Sequence, residues 1–60
     1  MEWILWFAIK GNEAAQPIAV FESVKQCERS KKVLSNQIDK AIFECWEQPR
    51  GTYKENYGKG

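Results

Sequence analysis

A small α+β domain with the order strand, strand, helix, strand follows from three features of the sequence. Residues 3–9 are apolar without a break, residues 18–21 resume a β-favouring pattern behind a cluster of turn formers, and an apolar stripe at helical spacing begins after Ser23. Sixty residues make a single domain at the lower limit of independent folding, because such a chain buries only about 60% of the surface its unfolded form exposes. The domain is expected to occupy residues 1–48, with a flexible basic tail over residues 49–60.

The first strand is expected over roughly residues 2–10. Its uninterrupted apolar character requires cover on both faces. Residues 11–17 carry Gly11, Asn12 and Pro17 at their ends and read as the loop of a hairpin, after which residues 18–21 form the second strand. Ser23 is a helix N-cap, and Gln26 three residues later gives the capping-box signature. At about 100° per residue, Val24, Cys27, Lys31, Leu34 and Ile38 share one stripe, Lys31 contributing its aliphatic stem. Lys25, Arg29, Lys32 and Asn36 lie on the opposite side. Asn36, Gln37 and Asp39 close the helix, residues 40–47 supply the third strand, and Pro49 with Gly51 ends it.

A right-handed crossover places the third strand on the far side of the first and parallel to the second, so the first strand is central in a three-stranded sheet with one helix on one face. Strand alternation then assigns the sides. If Cys45 looks toward Cys27, the helix side holds Trp3, Leu5, Phe7, Ile9, Ile18, Val20 and Phe43. The helix-free side shows Ile4, Trp6, Ala8, Ile42 and Trp46, edged by Glu2, Lys10 and Glu44. Two tryptophans and two isoleucines on one small surface mark an interaction site, and aromatic anchors are the usual energetic centres of interfaces. The expected partner-binding residues are therefore Ile4, Trp6, Ala8, Ile42, Glu44 and Trp46. The occupant is a foreign protein, or a second copy in a homodimer packed sheet to sheet.

Composition excludes several other roles. The chain has no His, which removes the commonest general base and metal ligand, and it has no phosphate-cradling Gly-rich loop. Glu44 and Glu47 fall on opposite faces of their strand and cannot act as a carboxylate pair. The reading is of a protein that is not an enzyme, with no metal, no cofactor and no small-molecule substrate. The apolar run is too short for a bilayer, which takes about 20 residues, and it follows Glu2, so no membrane anchor or signal peptide is expected and the compartment is read as cytoplasmic.

Lys and Arg number 9 against 8 Asp and Glu, a net charge of +1. Bulk electrostatics therefore do not favour nucleic acid, although the helix and the tail are locally basic. The alternative nucleic-acid or acidic-partner surface consists of Lys25, Arg29 and Lys32 on the helix with Arg50, Tyr53, Lys54, Tyr57 and Lys59 in the tail, where Tyr and Lys alternate in a way suited to base stacking and phosphate contact. A solvated helix face and a solubilising tail account for the same residues. Cys27 and Cys45, 18 positions apart, fall in one layer between helix and sheet and make a disulfide possible. A reducing cytoplasm favours two buried thiols instead.

The Trp-rich first strand, the sequence Phe21-Glu22-Ser23 leading into a helix that carries Cys27, and the final Phe43-Glu44-Cys45-Trp46 resemble a class of short proteins encoded by bacteriophages and prophages. The resemblance spans about residues 3–46 and implies a protein that binds and redirects a bacterial host protein, as an inhibitor or modulator. It transfers no site residues.

Overall fold

The computed structural model describes residues 1–57, the side chain of Glu13 excepted; Lys59 and the rest of residues 58–60 of the expected tail lie outside the described residues. The elements are β1 (Glu2–Ile9), β2 (Asn12–Phe21), α1 (Val24–Gln37), β3 (Ala41–Gln48) and α2 (Thr52–Asn56). The sheet order is β2-β1-β3, with both outer strands antiparallel to β1. The central first strand and the ββαβ order are thus as the apolar run demands. Every residue of β1 pairs with β3, from Glu2 opposite Gln48 to Ile9 opposite Ala41.

Helix α1 starts where the sequence places it. Ser23 is extended (φ −134°, ψ 153°), and its hydroxyl oxygen accepts a hydrogen bond from the Gln26 backbone N–H at 3.3 Å, which satisfies one of the helix's orphan donors. The core lies between α1 and one sheet face. Leu5, Cys27, Ala41 and Phe43 are buried there, with Trp3, Phe7, Ala19, Phe21, Leu34 and Cys45 packed around them. Phe7 and Phe43, opposite each other on β1 and β3, have ring centroids 5.5 Å apart.

The hairpin differs from the expected one. Residues 11–17 are not a loop: Ile9 pairs with Asn12, so only Lys10 and Gly11 turn the chain. Gly11 makes this possible at φ +92°, a conformation that an L side chain resists. The ten-residue β2 fits beside the shorter β1 through register shifts between Leu5 and Trp6 and between Phe7 and Ile9, each inserting residues that twist the outer strand. Those shifts also change which side of β2 is buried. Ala19 opposite Leu5 and Phe21 opposite Trp3 face α1, while Val20 pairs with Ile4 on the other face. Ile18 and Val20, expected in the core, are exposed (42% and 40%). Ile9 and Ile38 are also exposed, because each sits at the end of its element.

Cys27 and Cys45 form a disulfide with Cα atoms 6.2 Å apart. The thiol reading that a reducing compartment favoured is corrected: the two residues face each other across the helix–sheet layer. No helix among the described residues is long and apolar enough to cross a membrane.

Within the expected tail, the described residues 49–57 form local structure. Thr52 donates its hydroxyl and its backbone N–H to the Pro49 carbonyl (2.6 and 3.1 Å), Gly51 turns at φ +94°, and the five-residue α2 follows.

Candidate functional site

The helix-free face is built from the even-numbered residues of β1 and their cross-strand neighbours. Val20 and Trp46 flank Ile4, Pro17 and Glu44 flank Trp6, and Ile42 lies beside Ala8. Half of this face has a lid that the sequence did not announce. The Glu2 carboxylate, at the start of the same row, accepts hydrogen bonds from the backbone N–H of Tyr53 (2.8 Å) and of Gly51 (3.1 Å). At the other end of α2, the Tyr57 ring meets Trp6 edge to face, with centroids 5.6 Å apart, and Tyr53 stands 6.0 Å from Tyr57. Glu2 and Trp6 are the two neighbours of Ile4 on this face, so α2 lies across Ile4, which is 0% exposed.

Ile4 is therefore removed from the expected partner-binding set: a fully buried side chain touches no partner. Trp6 is half-buried, and its Nε1 is buried with no acceptor among the described residues. Ala8 is half-buried. Ile42, Glu44 and Trp46 remain open, with Trp46 54% and Ile42 44% exposed. Beside them, Trp6, Ala15, Glu44 and Trp46 line a pocket of about 240 Å³ that crosses all three strands. Ala15 escaped sequence reasoning because it was assigned to a loop. Val20 did too, because the register shift moved it across the sheet.

Glu2 shows how the lid is held. Its pKa is lowered from the ordinary 4.5, chiefly by the Tyr53 N–H and then by the Gly51 N–H, with smaller help from Arg50 and the N-terminal ammonium against the opposing effect of burial. A carboxylate that accepts from backbone donors holds them less tightly once protonated. Since the folded value lies below the unfolded one, attachment of α2 through Glu2 is complete above pH 4.5 and weakens as pH falls through the lowered folded value. Amide hydrogen exchange at Gly51 and Tyr53 is expected to accelerate selectively in that acid window, and Glu2→Gln is expected to give the same acceleration at neutral pH. Equal exchange in wild type and variant would contradict this anchoring.

The alternative basic surface is not continuous. Lys25, Arg29 and Lys32 are exposed on α1, which covers one side of the sheet, whereas Tyr53, Lys54 and Tyr57 belong to α2 on the other side. Tyr57 is committed to Trp6. Arg50 pairs with Glu22 at 3.4 Å, an exposed contact worth little in stability. Among the described residues, no group of three or more His, Cys, Asp or Glu side chains could hold a metal ion.

No family model, curated protein or solved structure matches the chain.

Proposed function

We propose that this chain is a non-catalytic protein-binding module of bacteriophage or prophage origin that inhibits or modulates a bacterial host protein through the open half of the sheet face opposite α1. The observation that carries the reading is Trp46, 54% exposed on the wall of the pocket that it lines with Trp6 and Ala15. A monomer exposes large side chains singly at little cost, but an open indole on the wall of an apolar pocket is the arrangement of an interface anchor. The class of origin rests on the resemblance of the Trp-rich first strand and the Phe43-Glu44-Cys45-Trp46 segment to short phage proteins.

A second copy is the rival occupant, giving a homodimer in which the face is structural. The nucleic-acid reading is disfavoured because its helix and tail residues stand on opposite sides of the sheet. If the protein acts in a cytoplasm, it acts with the cysteines reduced, since the Cys27–Cys45 bond persists only in an oxidising setting.

Trp46→Ser is expected to weaken capture of a discrete bacterial protein by at least about tenfold, as anchor residues contribute roughly 2 kcal/mol or more. Reversal of Lys25, Arg29 and Lys32 to Glu is expected to leave capture intact, with or without nuclease. Retained capture by the Trp46 variant contradicts the proposal. A solution mass of two chains that falls to one on Trp46→Ser assigns the face to self-association instead.

A further inference from the structure

The pocket on the sheet face opposite α1 differs from a plain apolar groove in one respect. Its walls are almost wholly apolar, formed by the indoles of Trp6 and Trp46 with Ala15, yet Glu44 is part of the lining. Glu44 sits directly opposite Trp6 across the β1–β3 ladder, and Trp46 follows two positions later on the same face. The carboxylate has no salt-bridge partner among the described residues.

Resting on the interface reading above, we propose that this pocket receives an arginine side chain from the protein partner. Size favours one long side chain over a metabolite: about 240 Å³ lies below the roughly 300–1,000 Å³ of small-molecule sites. Charge selects among side chains. An apolar residue seated here leaves the exposed Glu44 carboxylate beside it without a counter-charge, and an acidic residue adds repulsion. A cation answers both demands of the site, since its stem packs on the indoles while its charge meets the aromatic faces and the carboxylate. Arginine is preferred to lysine because the planar guanidinium stacks on an indole and can present two donors to one carboxylate.

The test titrates the full-length, ¹⁵N-labelled protein with N-acetyl-arginine methylamide and, separately, with its norleucine counterpart at matched ionic strength, following the indole N–H resonances. The arginine probe is expected to shift Trp6 and Trp46 saturably and to leave Trp3, on the α1 face, unmoved. Norleucine is expected to bind about two- to fivefold more weakly, the scale of a part-exposed ion pair, and Glu44→Gln is expected to abolish that difference. Equal binding of the two probes, or an arginine preference that survives Glu44→Gln, overturns the proposal while leaving the face as an apolar interface. Silence from both probes also overturns it, and capture by the Trp46→Ser variant then decides the interface reading separately.

Discussion

Reduction of the Cys27–Cys45 bond is expected to lower stability by about 3 kcal/mol, the chain-entropy value for a loop of this length. That is a large share of the total, because 60 residues at roughly 0.05–0.15 kcal/mol each give about 3–9 kcal/mol. The bond joins the middle of the first half of α1 to β3, and Cys27 is completely buried beneath the helix. With a urea dependence of about 1 kcal/mol per molar for so small a domain, the midpoint is expected to fall by roughly 3 M on adding reductant. Urea unfolding followed by circular dichroism, with and without reductant and with free thiols counted, measures it. An unchanged midpoint in fully reduced protein would show that the bond does not constrain the unfolded chain. A reduced protein already unfolded in buffer would show that it functions only where the bond can form.

Removal of residues 49–60 is expected to cost about 2–4.5 kcal/mol, although the sequence reads them as a flexible tail. Two contributions make up the figure. Uncovering Ile4 forfeits roughly 1.5–3 kcal/mol of apolar burial, and separating Trp6 from Tyr57 forfeits about 0.5–1.5 kcal/mol. The shortened chain is also expected to self-associate, because Ile4 and Trp6 join Trp46, Ile42 and Val20 in one larger exposed patch. Denaturant titration and sedimentation of residues 1–48 check both effects. A shortened chain with unaltered midpoint and monomeric mass would mean that α2 contributes no lid.

These two regions mark where the sequence was legible and where it was not. The central position of β1 could be read directly, since seven consecutive apolar residues fit only a strand covered on both sides, and the Ser23 cap and the stripe through Cys27 fixed the start and facing of α1. The faces of β1 and β3 followed from alternation. On β2 alternation failed, because a register shift is invisible to period-two counting and moved Val20 to the open side and Ala19 and Phe21 to the core. The lid was missed for a different reason. Residues 49–60 hold few aliphatic groups, but Tyr53 and Tyr57 are four apart and share one face of a helix. That spacing, with Gly51 just before it, was the available signal, and Glu2 at the far end of the chain supplies the acceptor that holds the helix. Contacts 49 and 51 positions apart leave no local pattern.

The central claim is that the second sheet face is covered at Ile4 and Trp6 by the protein's own C-terminal helix and open at Trp46 for a partner. Hydroxyl-radical footprinting of the free protein, resolved by mass spectrometry to single tryptophans, tests it most directly. The structure predicts rapid oxidation of Trp46, slower oxidation of Trp6, and a rise at Trp6 alone when residues 49–60 are removed and the protein is dilute enough to stay monomeric. Equal reactivity of Trp6 and Trp46 in the intact chain, or protection of Trp46, would contradict it.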